Sequence, residues 1–147
     1  MDPISRRDFW KLIYAMTKEG VTVLVTTHYM DEAELCQRIG FISQGKLVAV
    51  DTPDRLKQTR MRGEVLEIGV SNPDAAMRIL KAEQPRGRIP LDQVALYGAQ
   101  LHAVVPSARA YREAIQTVLT VQGIQVHSIE WIAPTLEDVF ISAVNEP

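Results

Sequence analysis

Residues 21–26 read Val-Thr-Val-Leu-Val-Thr, a short β-branched run that is apolar on both faces. A half-exposed strand alternates apolar and polar residues, so this run predicts a strand buried in a parallel sheet. Left open, its edge would invite aggregation. The expected partner is Ile39–Ser43, a strand of the second half, or a second copy of the chain. The run ends at Thr26-Thr27-His28. In open parallel sheets ligand chemistry lies beyond the carboxyl ends of the strands, so His28 stands where a titratable side chain can meet a phosphate.

The flanking segments fit an α/β unit. Ile4–Glu19 predicts an amphipathic helix, with Phe9, Leu12, Ile13 and Met16 at helical spacing and Gly20 as a stop. Asp2-Pro3 suits its start. Tyr29–Gln37 predicts a short helix whose Asp31, Glu32 and Glu34 complement the helix dipole as solvated residues. Ile39–Ser43 and Lys46–Asp51 read as two strands joined by a hairpin-type turn at Gln44-Gly45. Thr52-Pro53 opens a further helix to about Thr59.

A boundary is expected at Arg60-Met-Arg-Gly63. Beyond it the pattern is strand 64–70, helix 72–83, strand 93–97, strand 100–105, helix 108–122 and strand 125–132, the ferredoxin-like β-α-β-β-α-β order. A last helix over 135–144 starts with Thr135 as cap and Asp138 three residues on, a capping-box spacing. Leu136, Val139, Phe140 and Val144 share one face, expected to fold back onto a neighbour.

The 147 residues are 46% hydrophobic and 23% charged, enough for a packed core. A net charge of −2 gives no electrostatic footprint for nucleic acid. Strand 100–105 also lacks the aromatic and basic residues with which a module of this topology binds RNA. Cys36 is the only cysteine, so no disulfide forms within the chain. No run is long enough to span a bilayer as a helix. His102 and His127 make no ligand pattern with Cys36 and read as structural or surface residues. Arg55, Lys57, Arg60 and Arg62 read as a solvated helix face and linker.

Several short motifs, in order along the chain, resemble those of one family. Met1-Asp2-Pro3 resembles the Leu-Asp-Pro D-loop of ATP-binding cassette (ABC) transporter ATPase subunits, with Met in the Leu place. Thr27-His28 resembles their H-loop, and Asp31-Glu32-Ala33-Glu34 the acidic helix behind it. Gly45-Lys46 with Asp51-Thr52-Pro53 resembles the hairpin that follows, Asp51 replacing the common Gly. Pro134-Thr135-Leu136-Glu137-Asp138-Val139-Phe140 resembles the ending of the bacterial drug-exporter subgroup.

The resemblance implies an incomplete C-terminal part of a P-loop (ABC) nucleotide-binding domain over 1–62. A small ferredoxin-like α+β accessory domain with its C-terminal helix follows over 63–147. It implies that His28 is the switch histidine, which contacts the γ-phosphate of ATP and positions the attacking water in the complete parent. It implies that Asp2 lies at the cassette dimer interface near the nucleotide; read from the residues alone, Asp2 is a helix cap. The parent would bind ATP and Mg²⁺, pair with a second ATPase subunit, and drive export through a membrane permease from the cytoplasmic face of the inner membrane. The G-x-x-x-x-G-K-[ST] phosphate loop, the Leu-Ser-Gly-Gly-Gln signature and the strand bearing the Mg²⁺ Asp and catalytic Glu do not occur in these residues. The 147 residues alone are therefore expected to bind ATP poorly and not to hydrolyse it, as a fragment or a shortened reading frame. No metal ligands are expected among them. The alternative is a non-catalytic regulatory or dimerisation fragment, or a small-ligand sensor.

Overall fold

A computed structural model describes residues 2–145. Met1, which occupies the Leu place of the D-loop resemblance, lies outside the described residues, as do the last two residues of the 63–147 segment. Helix α1 spans Pro3–Lys18 and α2 spans Met30–Ala33. Strands β1 (Ile39–Ser43) and β2 (Lys46–Asp51) precede α3 (Pro53–Thr59). Then come β3 (Glu64–Val70), α4 (Pro73–Glu83), β4 (Gln93–Tyr97), β5 (Gln100–Val105), α5 (Ala108–Val121), β6 (Val126–Ile132) and α6 (Leu136–Val144).

β1 and β2 form an antiparallel pair. Their Gln44-Gly45 turn has φ of 50° and 75°, the left-handed pair that a two-residue hairpin of right-handed twist requires. β3 to β6 form a second sheet in the order β4-β5-β3-β6, every neighbour antiparallel. Residues alternate across its faces. Leu66, Ile68, Leu101, Ala103 and Ile129 meet Ala76 and Leu80 of α4 and Ile115 and Leu119 of α5 in one core. The opposite face carries Val65 and Glu67 of β3 with His102 and Val104 of β5. Gly63 enters this sheet so closely that a Cβ there would lie 2.6 Å from the Val105 carbonyl oxygen.

α6 follows the sheet in sequence but belongs to the core of the first residues. Leu136, Val139 and Ala143 bury with Ala33, Ile39, Phe41, Ala49 and Leu56. Phe140 meets Phe41 edge to face at 5.2 Å. α6 thus touches α2, α3 and β2.

Two expected elements differ. Residues 21–27 form no strand and pair with no other segment among the described residues. A β-run becomes a strand only where a ladder partner lies alongside. Here β1 is paired through its tight turn to β2, and the larger sheet is built from its own four strands. Leu24 is left 92% exposed. The helix expected over 29–37 stops at Ala33 and continues only as turns, through Leu35 N–H to Glu32 O and Cys36 N–H to Ala33 O, both 3.0 Å.

Leu136→Ala should cost about 2–5 kcal/mol in urea unfolding, the range for emptying a fully buried leucine site. Leu24→Lys should change stability by no more than about 0.5 kcal/mol, as at other exposed positions. It should also reduce self-association in light scattering.

Candidate functional site

The His28 loop is built from both flanking helices. Asp2 caps α1: its Oδ1 accepts from the amides of Ile4 and Ser5, both at 3.0 Å, and its Oδ2 from the Ser5 hydroxyl at 2.6 Å. The Ser5 hydroxyl hydrogen bond leads the causes that hold the Asp2 carboxyl below its ordinary value. One turn on, Arg6 forks across to α2. Its Nε donates to Glu32 Oε1 and its Nη2 to Asp31 Oδ2, each at 2.7 Å. The Asp31 bond, followed by Glu32, holds the Arg6 guanidinium still more firmly charged than usual.

Glu32 then reaches the loop itself. Its Oε2 accepts from the Thr27 hydroxyl at 2.6 Å, and the Thr27 oxygen accepts from the Tyr29 amide at 3.0 Å. The Arg6 guanidinium lies 5.6 Å from the Tyr29 ring centre, a cation–π contact. The rings of His28 and Tyr29 lie 4.1 Å apart. His28 is therefore solvent-exposed on a loop whose two flanks are tied down.

These ties correct the reading of Glu32 as a solvated dipole partner; Glu34 is exposed as expected. Glu32 is mostly buried beneath Arg6. Glu34 pairs with Lys57 of α3 at 2.6 Å, so Lys57 is not merely part of a solvated face. Sequence spacing carries no trace of either pair, because the partners lie more than twenty residues apart.

A second polar cluster escaped the sequence. His102 is 1% exposed. Its Nδ1 lies 2.8 Å from Asp138 Oδ1 and its Nε2 3.3 Å from Glu67 Oε2. Tyr97 stacks on the imidazole at 4.4 Å, with 4° between the planes. Asp138 also completes the α6 capping box, accepting from the Thr135 amide at 2.9 Å and hydroxyl at 2.8 Å. Burial opposes the His102 charge, but Asp138 and then Glu67 outweigh it and hold its pKa above the ordinary 6.5. Burial likewise opposes the Asp138 charge, and the bonds from His102 and Thr135 hold its pKa below 3.8. His127, by contrast, is exposed on β6. Among the described residues no group of three or more His, Cys, Asp or Glu is arranged to hold a metal ion. None of their helices is long and apolar enough to cross a membrane.

No protein-family model matches this chain. It is 33% identical over 144 residues to the daunorubicin resistance ATP-binding protein DrrA2 of Streptomyces coeruleorubidus, covering 96% of this chain and 44% of that protein. It is 29% identical over 148 residues to the linearmycin resistance ATP-binding protein LnrL of Bacillus subtilis (strain 168), covering 97% and 45%. Over 57 residues it is 60% identical to the "Probable multidrug ABC transporter ATP-binding protein YbhF" of Escherichia coli (strain K12), covering 39% of this chain and 10% of that protein. The chain spans less than half the length of these curated relatives.

His102 and Asp138, the buried pair, each contribute to the pH dependence of stability. The raised His102 value stabilises fully below pH 6.5, and that contribution is lost as pH rises through the folded value. The lowered Asp138 value stabilises above pH 3.8, and that contribution is lost as pH falls through the folded value. Urea unfolding across pH should trace both arms. His102→Leu should abolish the alkaline arm and cost about 3–5 kcal/mol near neutrality, because it strands a buried carboxylate.

Proposed function

We propose that this chain, which belongs with the ABC transporter ATP-binding proteins it matches over nearly its whole length, is the C-terminal part of a drug-exporter-type subunit. In the complete protein this part contributes the switch histidine, His28, to an ATP site. ATP and Mg²⁺ are the ligands of that complete protein. Its partners are a second ATP-binding subunit and a membrane permease, which it meets at the cytoplasmic face. The names of the relatives concern resistance to daunorubicin and linearmycin. By analogy the complete protein energises export, and the permease sets what is exported.

The observation that carries this reading is the contrast on the two sides of His28. Behind it, Thr27, Glu32 and Arg6 form a finished hydrogen-bonded support. Before it, Val21 and Leu24 of the apolar run and Ile4 and Leu12 of α1 stand exposed. A histidine exposed on a tied-down loop, next to an apolar run that is itself exposed in part, suits a group that meets its ligand where further parts of the complete protein cover that run. From that position an imidazole can donate to a γ-phosphate oxygen and align the attacking water. The same reading takes Asp2 as a D-loop residue at the partner cassette, a role that leaves its capping bonds intact.

Residues 1–62 are read as the cassette part and 63–147 as an accessory ferredoxin-like domain with its closing helix. The βαββαβ order and the β4-β5-β3-β6 sheet support this division. Because the 147 residues hold no phosphate loop, we read them as unable to turn over ATP alone.

His28→Ala in a complete subunit should lower ATP hydrolysis by about 10²-fold or more, the usual worth of a positioned acid–base group. Nucleotide binding should be largely retained. Unchanged hydrolysis removes the switch role. Calorimetry of the 147-residue chain with ATP and Mg²⁺ should show no tight binding; a Mg²⁺-dependent complex would overturn the reading of the fragment.

A further inference from the structure

We propose that the four-stranded sheet governs how the His28 loop is seated, acting through α6, with the buried His102–Asp138–Glu67 cluster as the joint. The route is a continuous series of contacts. His102 on β5 holds Asp138 of α6 at 2.8 Å. Val139, the next residue, and Leu136 bury against Ala33, the last residue of α2. The residue before it, Glu32, grips both Thr27 and Arg6. Thr27 adjoins His28. The α6–Ala33 step is a buried apolar contact and the Glu32–Thr27 step an exposed hydrogen bond, so a shift of α6 reaches the loop first by packing and then by that bond.

The joint has two discrete states. Both imidazole nitrogens face carboxylate oxygens. A neutral ring carries one N–H and can satisfy only one of them; the imidazolium donates to both. Loss of the proton therefore turns a lone pair toward Asp138 or toward Glu67. Glu67 lies at the sheet surface with its side chain 32% exposed and can swing to water. Asp138 cannot: it is 1% exposed and bound into the α6 cap. The change in charge is thus felt at the first turn of α6. The other groups facing the joint are Tyr97 on β4, whose hydroxyl faces Thr135 and Glu137, and Glu130 on β6, paired across from Glu67. Apart from the Tyr97 hydroxyl these neighbours are carboxylates, which favour the charged ring. Coupling by such a route requires a two-state element that both ends can bias, and His102 supplies it.

The significance for γ-phosphate sensing rests on the function proposed above; the coupling itself is a property of these residues. It is tested by NMR on the 147-residue chain without nucleotide, following the His102 ring and the backbone amides across pH. Amides of 136–144 and of 27–36 should shift with the His102 midpoint, and His102→Gln should abolish both responses while leaving α4 and α5 signals in place. Should that variant fail to fold, Glu67→Gln, which retains the ring and its Asp138 contact, should move the shared midpoint to lower pH in both segments. Residues 27–36 that ignore the His102 midpoint, or that keep their response in the variant, overturn the proposal. A His102 ring that never gains a second proton overturns it too. The His28→Ala hydrolysis assay fails or succeeds independently of these outcomes.

Discussion

The structure turns on Asp138. One carboxylate oxygen closes the first turn of α6 by accepting from Thr135, and the other holds His102 of the sheet. Burying a carboxylate is costly unless its oxygens are satisfied. Here both are, and the satisfaction comes from two different structural units. The residue that starts the helix is therefore also the one that fixes where the helix goes. Once α6 is held there, Leu136, Val139 and Ala143 fall against Phe41 and Leu56, and the core of the first sixty residues is closed by a helix that comes last in the chain.

The His28 loop follows a similar economy. Asp2 starts α1, α1 presents Arg6, and Arg6 clamps the carboxylates of α2 that flank the loop. Charge-assisted bonds of this geometry are strong and directional. They leave His28 exposed but on an ordered base. α6 packs on α2, α3 and β2 beside the loop and is clasped to the sheet through His102.

Much of this was legible in residue order. The helix starts at Pro3, Pro53, Pro73 and Ala108 each follow a cap residue whose side chain accepts from first-turn amides. The Gln44-Gly45 hairpin and the capping box at Thr135 formed where their chemistry called for them. The run at residues 21–26 shows the opposite case. Its composition suits a strand, but a strand is a relation between two segments, and among the described residues no strand pairs with it. Helix α2 is short for a related reason: beyond Ala33 the backbone turns at Leu35 and Cys36, and Tyr14 takes the Leu35 carbonyl at 3.0 Å.

The sequence by itself determined the capped helix starts, the hairpin turn, the family resemblance and the place of His28 after an apolar run, because caps, turns and periodicity act over a few neighbouring residues. Tertiary structure alone decided that Glu32 supports the loop, that His102 is a buried partner of Asp138, and that α6 joins the first core. Those outcomes depend on which distant side chains share one desolvated space. Burial there converts weak surface charges into specific, directional bonds, and no spacing along the chain records it.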